Sequence, residues 1–357
     1  MQEIRSHTSI RGIAASLVVL MHLAQYFVPE TVTHVALTFV NSADIMVDLF
    51  FVLSGFVLCH VYAERMEAMP SGAAMSEFFV ARLARIYPLH FATTLVMVVL
   101  YLLQGKLSDP GLQVHAAKSF ALVHGWTPAY AHFEAFNFPS WSISGEWAAY
   151  LAFPTLLLLS ARRGASWLLP ALVVAGYAWL ETAFSGLMLH KGAMLQRAIP
   201  GFALGMLLHR HRGIYDLMTP NTRRIVLASA LAAVAVAMAN AVFSVVLVLP
   251  LAAVVLLTSR DEGHVARVLS VPPLRWLGRI SYSIYLLHVP VIYLAIPTIA
   301  QTTGLDPLTL PPGVLIGLIL GVTLVSGELS FRFFETPLRR WIRRTFRPAR
   351  SRALKPS

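Results

Sequence analysis

Along the chain, apolar runs of about 15 to 22 residues alternate with short polar breaks, close to the ~20 residues a helix needs to cross a bilayer. The expected spans are 10–28, 43–62, 88–104, 143–160, 165–182, 192–208, 224–239, 241–257, 280–301 and 311–332. Within 224–257 the only polar break is Asn240. The weakly apolar stretch 115–126 predicts a short interfacial helix. The run from Ile13 to Val28 is long for a signal-peptide core and no small-residue cleavage site follows it, so it is taken as the first span. The pattern therefore predicts an all-α fold: a polytopic integral membrane helix bundle of about ten transmembrane helices.

Composition agrees. Hydrophobic residues make up 57% of the chain and charged residues only 13%, against ~25% in a soluble domain. The net charge of +11 is placed by topology. With both termini cytoplasmic, only Lys106, Lys118 and Lys191 fall outside and Arg197 falls within a span. Every other Lys and Arg gathers on the inner side, as the positive-inside rule requires. The basic run from Arg339 to Lys355 then faces anionic inner-leaflet lipid, and nucleic acid is not an expected partner. The single cysteine, Cys59, supports neither an internal disulfide nor a cysteine-rich metal site. No P-loop and no His-Glu-x-x-His motif occurs, and no metal is expected.

Ionisable groups within spans are costly and usually functional. They are Arg11, His22, Asp48, Glu146, Arg197, His288 and Glu328. Arg11 and His22 lie about 20° apart around their helix and ~16 Å apart along it, so a long ligand lying along that face could touch both. Coenzyme A has that shape, with phosphates at one end and a reactive thioester at the other. A guanidinium suits phosphate, and an imidazole suits proton abstraction near neutral pH. Taken singly, Arg11 is equally an ordinary inner-face anchor and His22 a helix-packing hydrogen-bonder.

Six blocks in order carry a resemblance. Arg11-Gly-Ile-Ala-Ala-Ser-Leu-Val-Val-Leu-Met-His22 resembles the opening Arg-(ten residues)-His signature of the acyltransferase-3 family of membrane O-acyltransferases. Val47-Asp48-Leu-Phe-Phe-Val-Leu-Ser54-Gly55-Phe56, Arg82-Leu-Ala-Arg85-Ile-Tyr87-Pro88 and Ser140-Trp141-Ser142-Ile-Ser-Gly-Glu146 resemble its second-span, inner-loop and Ser-Trp-Ser blocks. Ser281-Tyr282-Ser-Ile-Tyr285-Leu-Leu-His288 and Phe334-Glu335-x-Pro337 resemble its late and closing blocks. The resemblance spans nearly the whole chain.

It implies an acyl-coenzyme A donor on the cytoplasmic side, acetyl by default. The acceptor is a hydroxyl on a cell-surface glycan, glycolipid or small metabolite. His22 would be the catalytic base, and Arg11, Arg82, Arg85 and Tyr87 would serve the donor. Asp48 and Glu146 would orient the imidazole or bind acceptor hydroxyls, or else tie helices. Trp141 and Ser142 are candidates for the acceptor entrance, Trp141 being equally an interface anchor, and His288 is a site residue or a structural hydrogen-bonder. Arg197 pairs with Asp48 or Glu146, or contacts an anionic acceptor. Glu328 and Glu335 are expected to pair with arginines such as Arg332. Ser54 is either a covalent nucleophile or, with Gly55, a point of close helix packing. The expected division is an acyltransferase membrane domain, 1–335, and a basic cytoplasmic tail, 336–357, in a bacterial inner membrane.

Two departures matter. Many members have a second Glu where this chain has Trp147. Some also carry a hydrolase-like domain after the last span, for which no room is expected here, so the acceptor would reach the membrane core directly. The longest outer loop, 105–142, carries His115, His124, His132 and Glu134. The rival reading is a secondary transporter exporting a polar metabolite, although the chain lacks the related halves with interrupted helices that transporters often show. A non-catalytic scaffold does not account for so many buried charges.

Overall fold

The computed structural model describes residues 3–29, 34–126, 136–184, 194–304 and 306–346, and in these it is all-helical. The helices are α1 (Arg5–Phe27), α2 (Val35–Asn41), α3 (Ile45–Ala68), α4 (Gly72–Leu103), α5 (Pro110–Phe120), α6 (Trp141–Ser160), α7 (Leu168–Phe184) and α8 (Met194–Arg210). They continue with α9 (Ile214–Leu217), α10 (Pro220–Ala239), α11 (Val248–Leu257), α12 (Gly263–Leu269), α13 (Pro272–Thr303), α14 (Pro312–Leu329) and α15 (Thr336–Thr345). A π-helical segment, Ser330–Glu335, joins α14 to α15.

Seven segments are long and apolar enough to cross a membrane: Arg5–Phe27, Val35–Ala68, Gly72–Leu103, Phe138–Ser160, Pro220–Ala239, Pro272–Thr303 and Pro312–Thr345. Leu168–Phe184 and Val245–Leu257 are shorter apolar helices. Each of the ten expected spans falls on a helix, and Asn240 caps α10 as the break before α11. The expected interfacial helix is present but displaced towards the N-terminus, as α5. Outward-facing positions stay apolar; Leu103, Val174 and Leu249 are each more than 60% exposed. Water would be a poor solvent for that surface, and lipid is a good one.

Two close helix crossings organise the bundle. In α3 and α8, a Cβ on Gly55 would fall 2.0 Å from the Phe202 carbonyl oxygen, and one on Gly205 would fall 2.0 Å from that of Val52. Ser54-Gly55 thus serves close packing. In α1 and α13, a Cβ on Gly12 would lie 2.5 Å from the Gly278 nitrogen, and one on Gly278 would lie 2.1 Å from the Thr8 oxygen. Thr8, Gly12, Ala15, Val19 and His22 all face α13, at alternating steps of four and three. That period gives a small crossing angle of about 20°. Gly12 meets Gly278 and His22 meets His288 at the same chain offset, so the two helices run parallel and in step. Gly278→Leu is therefore expected to part α1 from α13. The variant should not accumulate as a monodisperse protein in detergent, which size-exclusion chromatography reads directly.

The largest departure from the expected spans is α4. Span 88–104 was expected to follow an inner loop holding Arg82 and Arg85. Instead the helix starts at Gly72, where the Ser71 side chain accepts from the Ala74 N–H at 3.2 Å. Arg82 and Arg85 are thus helical and point into the bundle. Their charge imitates a loop signal, because hydropathy cannot tell a solvated arginine from one that faces a polar interior. Residues 336–345 of the expected tail form α15, which packs on α4.

Candidate active site

Five helices, α1, α3, α4, α6 and α13, enclose a cavity of about 110 Å³. Its polar lining comprises Arg11, Arg82 and Arg85, with Glu146, Ser54, Tyr150, Ser142, Ser281, Tyr282 and Tyr285. Arg82 donates to the Tyr62 hydroxyl at 3.2 Å and sits between the Tyr62 and Tyr150 rings, while Arg85 lies over the Tyr282 ring at 5.1 Å. The Nε groups of Arg11 and Arg82 are buried without a hydrogen-bond partner. Arg11 has no ion pair or hydrogen bond among the described residues. The one carboxylate in the lining, Glu146, accepts from the Ser54 and Tyr150 hydroxyls, each at 2.5 Å. Three guanidiniums against two carboxylates, Glu146 in the lining and Glu335 3.7 Å from Arg85, still leave an excess of positive charge, with the Nε groups of Arg11 and Arg82 as free donors. Such a lining suits an anion with several oxygens.

At one end of the lining, the Tyr285 hydroxyl lies 2.8 Å from Ser142 Oγ, and the Tyr285 ring lies beside that of His288. His288 is fully buried and His22 is 5% exposed. Their rings stack nearly parallel, with His22 Nδ1 2.9 Å from His288 Nε2. His288 Nδ1 lies 3.2 Å from the Ile284 carbonyl oxygen. A carbonyl only accepts, so for neutral rings the tautomers follow from the chain of bonds. His288 carries its proton on Nδ1 and accepts at Nε2; His22 carries its proton on Nδ1 and keeps a lone pair on Nε2. Phe138 packs edge-on against the His22 ring at 4.8 Å.

Neither Asp48 nor Glu146 orients the imidazole, because His288 occupies that place. Asp48 is fully buried, and its carboxylate receives Arg197 at 2.6 Å. Arg197 also binds Asp44 at 2.9 Å and lies 5.3 Å from the Trp141 ring centre. Arg197 is 1% exposed, so its guanidinium is committed to α3 rather than presented to a ligand. Trp141 completes that buried unit instead of forming an entrance. Glu146 shares the arginine cavity. Tyr87 stacks with Phe91 outside the lining. Glu328 pairs with Arg332, as expected, and Glu335 lies 3.7 Å from Arg85.

Several site residues went unassigned in the sequence. Tyr150 stands one turn after Glu146 and Asp44 one turn before Asp48, so helical spacing alone placed each on the same face as its partner. Tyr285 stood inside a quoted block without a role. His90, His115 and His124 form a buried ring cluster, with His124 Nε2 3.0 Å from Ser140 Oγ. His132 and Glu134 lie outside the described residues. Among the described residues no group of His, Cys, Asp and Glu is arranged to hold a metal.

The family model described as an acyltransferase domain, acyltransferase-3, matches residues 8–327. The chain is 25% identical to the peptidoglycan O-acetyltransferase OatA of Listeria monocytogenes, across 86% of this chain and 53% of that protein. The putative peptidoglycan O-acetyltransferase YrhL of Bacillus subtilis is also 25% identical, across 86% of this chain and 52% of its own length. The acyltransferase MdmB of Streptomyces mycarofaciens is 35% identical across 42% of this chain and 38% of its own. The chain thus spans about half the length of the two peptidoglycan relatives. No solved structure matches it. With the family model covering nearly all of its helices, the chain belongs to the acyltransferase-3 family.

Proposed function

We propose that this protein is an O-acyltransferase of a bacterial inner membrane that moves an acyl group, acetyl by default, from acyl-coenzyme A to a hydroxyl. The acceptor is a cell-surface glycan, a glycolipid or a small metabolite. The observation that carries the reading is one arrangement: three guanidiniums, two of them with unbonded Nε groups, line a cavity whose Tyr285 adjoins the His288–His22 pair. Ten spans with both termini cytoplasmic put the arginines towards the inner side, where coenzyme A is made. They also make 1–335 the catalytic membrane domain and 336–357 a cytoplasmic extension. The relatives named as peptidoglycan O-acetyltransferases make a glycan hydroxyl the leading acceptor.

The residues fit the donor. The diphosphate meets Arg11, Arg82 and Arg85, and the free Nε groups of Arg11 and Arg82 supply charge-assisted bonds. The pantetheine arm passes Ser142 and Tyr285, so the thioester comes to His22. The Nε2 lone pair of His22 takes the proton of the acceptor hydroxyl while that oxygen attacks the thioester carbon. The carbon–sulfur bond breaks, and the departing thiolate receives the proton from His22. His288 holds the reactive tautomer throughout. Asp48 and Arg197 take no part in the chemistry. Ser54 donates to Glu146, which fits packing and hydrogen bonding better than nucleophilic attack. Family membership favours transfer over the exporter reading, which has no use for a buried base.

The test is release of free coenzyme A thiol from acetyl-coenzyme A by the purified protein in nanodiscs, with cell-envelope glycans as acceptors. Wild type is expected to release thiol. Arg82→Ala is expected to raise the KM for acetyl-coenzyme A by about 10-fold or more with a small change in kcat, since one charge-assisted contact is removed. Wild type that neither binds acetyl-coenzyme A nor releases thiol would overturn the donor assignment.

A further inference from the structure

The inner mouth of the cavity carries one more guanidinium. The helix α15 follows the π-helical segment and packs on α4, the helix that carries Arg85. Its basic residues are not equivalent. Arg340, Arg343 and Arg344 are exposed, whereas Arg339 is half-buried on the packed face with Leu338 and Ile342. Glu335 stands one turn before Arg339, on the same face, and reaches Arg85 at 3.7 Å. Arg339 has no hydrogen bond or ion pair among the described residues.

The charge balance at this mouth is uneven. Arg11, Arg82, Arg85 and Arg339 are answered by Glu146 and Glu335. Glu335 spends one oxygen on Ser283 and Ser330, and its Oε2 has no hydrogen-bond partner. Like-charged guanidiniums held together away from water stay there at a cost unless an anion joins them. A basic helix serving only as a lipid anchor would turn its arginines outward, as Arg340, Arg343 and Arg344 do.

We propose that Arg339, together with Arg85, forms a second anionic subsite at the inner mouth, which takes the 3′-phosphate on the ribose of the coenzyme A donor. The assignment rests on the donor reading above. The buried arginines hold the diphosphate, and Arg339 reads the one phosphate that distinguishes coenzyme A from its dephospho form. Specificity for the intact donor is thus built on a residue outside the transmembrane arginine set.

Equilibrium binding of coenzyme A and of 3′-dephospho-coenzyme A to the full chain in phosphatidylcholine nanodiscs tests this without an acceptor. Wild type is expected to bind coenzyme A about 10-fold or more tightly than the dephospho form. Arg339→Ala should abolish that preference by weakening coenzyme A alone, and Arg343→Ala should leave both affinities in place. Equal binding of the two ligands by wild type overturns the subsite while leaving the donor reading intact. Binding of neither ligand overturns both. An Arg339→Ala effect that appears only with phosphatidylglycerol in the disc assigns the residue to lipid headgroups and overturns the proposal. Should Arg339→Ala fail to fold, the wild-type comparison still decides.

Discussion

Replacing His22 by alanine is expected to lower thioester turnover by about 100-fold or more while acetyl-coenzyme A still binds. A hydroxyl attacks a thioester poorly until its proton is removed. The only imidazole lone pair that the hydrogen-bond pattern leaves free in this pair is His22 Nε2. The donor site lies on other residues, so binding should survive the change. The measurement is thiol release set beside ligand affinity on the same preparation. His22→Ala with wild-type turnover would remove His22 as base. His288 acts through His22 and is a positioning residue. His288→Ala should cost less, about 10-fold, and alter the pH profile of kcat. His288→Gln offers His22 Nδ1 an amide oxygen and should recover part of the rate; a purely structural role for His288 would leave the pH profile unmoved.

Arg197→Met is expected to destabilise the protein by about 3–5 kcal/mol, because it leaves Asp44 and Asp48 buried without a cation. The unit ties α3 to α8 near one end, while Gly55 and Gly205 close the same pair further along. Thermal unfolding in nanodiscs reads the loss. Adding Asp44→Asn and Asp48→Asn should restore much of the stability, since the stranded charges disappear. A folded Arg197→Met that lost only acceptor-dependent turnover would return Arg197 to the substrate.

The helices were legible because lipid imposes one length on every span, and each expected segment fell on a helix. The site was legible where a residue's cost announced it: Arg11, His22, Glu146 and His288 all stood out as ionisable groups in apolar runs. Partners were harder. His22 and His288 are remote in sequence, and only the in-step crossing at Gly12 and Gly278 brings them together. Asp48 looked catalytic for the same reason as His22, yet its burial is answered by Arg197. Arg82 was harder to place, because α4 begins at Gly72, well before the apolar run that marks it in the sequence. Arg339 was hidden by its company, one arginine in a basic run that differs only in the direction it faces.

The pairing of His22 with a second imidazole, and among the described residues with no carboxylate, has an electrical consequence. The pair holds no permanent counter-ion for an imidazolium, which suits a base that returns its proton within the same turnover. With the proposed donor on the inner side and the proposed acceptor on the outer, an acyl group would travel outward and the acceptor's proton inward to the sulfur. Formally, one acyl cation exchanges for one proton. The exchange carries no net charge across the bilayer, so transfer should proceed at the same rate whether or not the membrane is energised.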